Sequence, residues 1–359
     1  MSLEEFKKEV VNRNCRRKGT IIRSKEREVI KSIIEFCDQE AKQKSLLVPL
    51  RQATKRAANY AKVSERTVKR IREENKLGLE FGDVDNSSPA RLSRGARTTM
   101  KFATNLSFMF GEGPTITERY LLAKQAGFKA VESGFPLGVS VQEVADAKSK
   151  AGVKQVLINI FTGDVAKGEM GFAAIPGKED EFRKSVDLTI EYAKALDCKK
   201  IHVMSGKVES PTEINDSTYE TNLRFAVEKF AAEDIVALIE PINSTTMPNY
   251  YLNNFDKGLE IVKKINSPHL KLLLDLFHLQ YARGNITRMI KDNLPHIGHV
   301  QIAQIPDRHE PDTAGEIDYR YIFSLLEKEG YNDYIGLEYK PKAGSVEGLK
   351  WIKNFGYTL

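Results

Sequence analysis

Four strand-like runs late in the chain each end in an oxygen-bearing side chain: VALIEPIN at Glu240, LLLDLFH at Asp275, HVQIAQ at Gln301 and YIGLEYKP at Glu338. Each run is apolar and rich in branched residues, as a strand buried on both faces should be. The four positions are separated by 35, 26 and 37 residues, one strand-plus-helix unit each time. Side chains so distant in sequence converge only if their strands lie parallel and side by side. That arrangement is the C-terminal mouth of a β/α barrel. A single acidic residue at a strand end also serves as a helix cap or an ion-pair partner. Four in succession at the same end of one sheet argue for a shared site.

From Lys101 onward strands and helices alternate. The pattern predicts strands at 101–107, 129–133, 155–160, 200–204, 236–242, 270–276, 299–305 and 334–339. Amphipathic helices are expected at Glu179–Leu196, Tyr219–Ala232 and Phe255–Ile265, with a last one near 345–355. Eight strand–helix pairs within residues 100–359 fit a (β/α)8 barrel in size and count. A doubly wound dinucleotide fold would carry GxGxxG after its first strand. The turn here is SFMFGEGPT.

The first 98 residues differ in character. They carry 24 Lys+Arg against 14 Asp+Glu, leaving 31 against 35 for the remainder of the chain's 55 and 49. Such asymmetry suggests two modules, the first suited to a polyanion. Residues 1–78 read as a small all-α domain, 79–99 as a polar linker, and 100–359 as the barrel. Met100 stands where an independent barrel would begin, so the two parts read as joined reading frames. The three cysteines lack CxxC spacing, and no apolar run reaches about 18 residues or forms a secretory leader. The expectation is a cytoplasmic protein with reduced thiols and no membrane span, nuclear if the first module binds DNA. Oligomeric state is not legible.

Three carboxylates and an amide oxygen are hard donors, which favour Mg²⁺ or Mn²⁺ over Zn²⁺. Around them, His278 and Arg308 lie just past strand ends and are candidate substrate contacts. The alternative for Arg308 is a salt bridge to Glu310 or Asp312. His202 falls inside strand four and reads equally well as a core histidine. His309 has no evident role, and Glu132 ends strand two, suited to a contact behind the ligands.

The run HVQIAQIPDRHEPDTAGEIDY (299–319), with LIEPIN, LLDLFHLQ and GLEYKP, resembles the hydroxypyruvate isomerase family of xylose isomerase-like TIM barrels. The likeness extends to KFATNLSFMF, AGFKAVESGFP and GFAAIPGKEDEFRKSV, and so spans essentially 100–359. It implies that Glu240, Asp275, Gln301 and Glu338 hold a divalent metal, and that Glu240 and Glu338 are the proton-transfer pair. The implied reaction interconverts hydroxypyruvate and tartronate semialdehyde through an enediolate. Close alternatives are an isomerase or epimerase of a larger keto-sugar acid, or a regulator whose barrel senses a metabolite. An apurinic endonuclease shares the barrel but needs a histidine-rich zinc cluster, and the six histidines here are scattered singly.

Within the first module, RAANYAKVSERTVKRIREEN (56–75) resembles a helix-turn-helix. Ser64 would cap its second helix, which would present Arg66, Lys69 and Arg70 to DNA. A small helical bundle with a solvated basic face fits the same residues.

Overall fold

The alternation predicted from Lys101 onward is what the chain forms, in a computed structural model that describes residues 100–359. The helical region with Arg66, Lys69 and Arg70, and the 79–99 linker, lie outside the described residues. The strands are β1 (Lys101–Asn105), β2 (Ala130–Ser133), β3 (Lys154–Asn159), β4 (Lys200–His202), β5 (Val236–Ile239), β6 (Leu270–Asp275), β7 (Ile297–Ile302) and β8 (Tyr334–Leu337). Neighbours pair parallel in chain order, and β8 returns to β1 with Thr104 opposite Leu337, closing the (β/α)8 barrel.

Strand pleating sends successive side chains to opposite faces. Ala103, Ala130, Val156, Leu157, Leu238 and Leu273 form a small apolar cluster apart from the main core between sheet and helices. Two residues further along the same runs come Asn105, Glu132, Asn159, Glu240 and Asp275. The barrel interior is therefore layered, with an apolar floor and a polar tier above it at the C-terminal mouth. Strands β7 and β8 keep the register, with His299 two residues before Gln301 and Gly336 two before Glu338.

The outer helices begin where local chemistry starts them. Thr115 with Glu118, and Ser140 with Glu143, form capping boxes. The helix expected at Tyr219–Ala232 runs instead over Glu213–Ala231. Its first turns are polar (EINDST) and hide the stripe, but Thr212 and Asn215 cap it reciprocally. After β6 there are two helices, Leu276–Ala282 and Ile286–Asn293, separated where Gly284 and Asn285 take positive φ. The last helix, Lys350–Asn354, covers the β1–β8 seam by setting Trp351 against Phe102 at 5.4 Å and Phe323 at 5.7 Å. No helix among the described residues is long and apolar enough to cross a membrane.

The floor of the barrel contributes to its stability through close packing of buried side chains. Leu273 is fully buried there, two residues before Asp275. Leu273→Ala is expected to destabilise the barrel by about 2–5 kcal/mol. Denaturant unfolding followed by the fluorescence of Trp351, the chain's one tryptophan, measures it.

Candidate active site

At the mouth, Asp275 divides its two oxygens between two jobs. Its Oδ1 accepts from the Phe277 N–H at 2.8 Å and caps the helix Leu276–Ala282. Its Oδ2 faces Arg308 Nη2 at 3.1 Å and His278 Nε2 at 3.6 Å. Glu240 directly follows β5, with Oε1 3.8 Å from His278 Nε2 and Oε2 3.6 Å from His202 Nδ1. Glu338 directly follows β8, where Arg308 Nη2 lies 2.5 Å from Oε2 and Asn105 Nδ2 donates to Oε1 at 3.2 Å. Gln301 is opposite Asp275 in the β6–β7 register. Its Nε2 donates to Glu132 at 2.7 Å, while its Oε1 has no hydrogen-bond partner.

These donors suit a hard divalent cation. One ligand atom each from Glu240, Asp275 and His278 lie within 4.8 Å of one another. Glu240 Oε1 and Gln301 Oε1 are both buried acceptors without a donor, an arrangement that is costly unless something positive satisfies them. Oxygen-rich donor sets of this kind are what such cations take.

His278 can be assigned a tautomer from its neighbours. The Asn243 Oδ1 accepts from the Thr246 N–H at 2.9 Å, so its Nδ2 donates to His278 Nδ1 at 2.7 Å. The ring proton then sits on Nε2, which points toward Asp275 and Glu240. Burial pushes the ring down to about 4, so it is neutral at pH 7. The side chain that faces the carboxylates is thus an uncharged N–H donor, better fitted to touch a substrate oxygen than to ligate a metal. His202 is likewise neutral, held down to about 3 by burial and then by His278.

Arg308 is fixed from both backbone and side chain. It sits at φ +59°, donating its N–H to the Gln304 carbonyl at 2.8 Å and accepting from the Lys340 N–H at 2.7 Å. Gln304 staples this loop by donating to Ile317 O at 2.9 Å and accepting from the Ile305 and Ile317 N–H groups at 3.0 Å. The guanidinium lies between the rings of Phe108 (4.6 Å) and Phe277 (4.7 Å). Its ion-pair partners are Asp275 and Glu338, not the Glu310 or Asp312 considered from sequence. Glu310 instead accepts from the Lys342 N–H, and His309 donates to the Lys340 carbonyl.

Burial raises the carboxyls of both Glu240 and Glu338 well above the ordinary range. At Glu240 the negative charges of Glu338 and Asp275 add to this. At Glu338 the adjacent Arg308 is the strongest opposing influence. Several members of the site were not singled out from sequence: Asn105, Asn243, Phe108, Phe277 and His299. Asn105 ends β1, two residues before the strand end expected from sequence, which hid its likeness to the quartet. Asn243 closes the EPIN segment. Nothing local marks Phe108.

The profile of the xylose isomerase-like TIM barrel matches residues 121–355. A Danio rerio protein provisionally named hydroxypyruvate isomerase is 42% identical over 263 residues, covering 71% of this chain and 95% of that one. A 2-oxo-tetronate isomerase of Cupriavidus necator is 40% identical over 257 residues, covering 71% and 98%. Among solved structures, a protein named AP endonuclease, family 2, from Brucella melitensis is 42% identical with a TM-score of 0.69, covering 71% and 98%.

A carboxyl whose pKa is raised by folding stabilises the fold below the ordinary carboxylate range and loses that contribution as pH rises through its folded value. Glu240→Gln should therefore raise the melting temperature of chelator-treated protein at pH 8, with the gain shrinking toward pH 5. Scanning calorimetry in EDTA checks this; a lowered melting temperature at pH 8 would contradict the electrostatic account.

Proposed function

The chain belongs to the xylose isomerase-like TIM-barrel family as an isomerase, and from that membership we propose that it interconverts hydroxypyruvate and tartronate semialdehyde. The observation that carries the reading is a pair of glutamates in unlike surroundings, Glu240 buried beside neutral histidines and Glu338 against Arg308, with Asp275 neighbouring His278 and Arg308 between them. In the forward reaction a C3 proton is removed and its electrons pass to the C2 carbonyl oxygen, giving an enediolate. A proton delivered to C2, with the C3 hydroxyl proton transferred to the C2 oxygen, leaves the aldehyde at C3. A divalent cation, Mg²⁺ or Mn²⁺, held by Glu240, Asp275, Gln301 and Glu338 would supply positive charge against the enediolate oxygens.

The roles of the side chains follow from their surroundings. Both carboxyls are raised, but Arg308 and Asn105 favour the ionised form of Glu338 relative to Glu240, and Glu338 acts as the base at C3. Glu240, without a cationic side chain in contact, carries the proton delivered to C2. The His278 Nε2–H is positioned to donate to a substrate oxygen, and Arg308 in its aromatic clamp suits the substrate carboxylate.

A second reading, 2-oxo-tetronate as substrate, is favoured by the 40% identity to proteins of that name. It is a longer keto acid open to the same chemistry. The Brucella protein is named an endonuclease, but the mouth of the present barrel is carboxylate-rich. The fold does gather three of the six scattered histidines, with His202 and His278 beside Glu240 and His299 against Glu132, whereas His269 and His309 bond the backbone carbonyls of Ile235 and Lys340. No observation among the described residues supports a DNA-directed role.

Proton NMR of hydroxypyruvate with the full chain should show tartronate semialdehyde in Mg²⁺ or Mn²⁺ and none in EDTA. Glu240→Gln and Glu338→Gln are each expected to cut kcat by about 10²–10⁴-fold. In D₂O, Glu240→Gln should still exchange the C3 hydrogen while Glu338→Gln should not; the opposite pattern reverses the assignment. A higher kcat/KM for 2-oxo-tetronate would favour the second reading.

A further inference from the structure

Glu132, the third residue of β2, and His299, two residues before Gln301 on β7, are both fully buried. Three donors meet the Glu132 carboxylate. Asn105 Nδ2 and Gln301 Nε2 donate to Oε1 at 2.9 and 2.7 Å, and His299 Nε2 lies 2.6 Å from Oε2. The barrel makes space for this carboxylate at one position. Gly336 is the register partner of Gln301, and a Cβ added there would collide with both Glu132 oxygens.

The two ends of a primary amide are nearly alike in shape but opposite in hydrogen-bonding sense. Turned over, Gln301 would set its oxygen against a carboxylate oxygen and its NH₂ where a cation ligand is needed. As built, the NH₂ is held by Glu132 and the orphaned oxygen remains for a ligand's role. The same Oε1 of Glu132 accepts from Asn105, whose NH₂ also reaches Glu338, so one carboxylate orients two of the four candidate metal ligands.

We propose that Glu132 is a positioning residue for the metal centre, locking the Gln301 amide with its oxygen toward the cation, with Gly336 as the space that admits it. This rests on the metal-dependent reading above, and the test separates the two. Mn²⁺ affinity of the chelator-treated full chain is measured by titration calorimetry for the parent, Glu132→Ala, Gln301→Ala and the double variant. Glu132→Ala should weaken Mn²⁺ binding about 10–100-fold. On the Gln301→Ala background the same change should cost less than about threefold, because only the indirect and longer route through Asn105 to Glu338 then remains. Equal weakening on both backgrounds, or none on either, would overturn the proposal while leaving the metal reading intact. Absence of Mn²⁺ binding by the parent would overturn both. Should circular dichroism show Glu132→Ala unfolded, Glu132→Asp, which withdraws the carboxylate by one methylene, is read in the same cycle.

Discussion

Repulsion among Glu240, Asp275 and Glu338, gathered at one end of a barrel where little water reaches, is the constraint the rest of this site answers. In a low-dielectric interior such charges interact far more strongly than in water. Arg308 offsets part of the excess by bridging Asp275 and Glu338. What remains favours either a proton on Glu240 or a bound dication. The two histidines beside Glu240 fit the same logic, since burial keeps them neutral and lets them line the site without adding charge.

Holding such a cluster together requires rigid support. The pleat of the parallel strands lifts the polar tier above an apolar floor, so the strands that place Glu132 and Asp275, and the one that leads to Glu240, also seal the interior beneath them. Loop residues are braced by particular bonds. Asn243 fixes the His278 ring, and Gln304 staples the turn that carries Arg308. These are the restraints expected where side chains must be held to fractions of an ångström.

The strand starts and the candidate quartet are legible in the sequence because apolar runs and their polar ends are local signals. Helix Phe255–Ile265 is predicted to the residue, since its apolar stripe is strong and Asn254 caps it. Helix Glu213–Ala231 is cut short in the sequence reading because its opening turns carry polar residues whose capping role appears only in three dimensions. The partners of Arg308 are out of reach for a different reason. Glu310 and Asp312 are near it in sequence, whereas Asp275 and Glu338 are near only once β6 and β8 flank β7. Gln301 stands out as an oxygen donor, but its dependence on Glu132, 169 residues away, belongs to barrel closure and leaves no mark on the sequence.

The divided duty of Asp275 has a mechanical consequence. One oxygen begins a helix that carries both Phe277, a wall of the guanidinium clamp, and His278. Any pull on the other oxygen loads that helix start, and any loosening of the helix slackens the site. Whatever that other oxygen holds and the local folding of these seven residues are therefore coupled at this strand end.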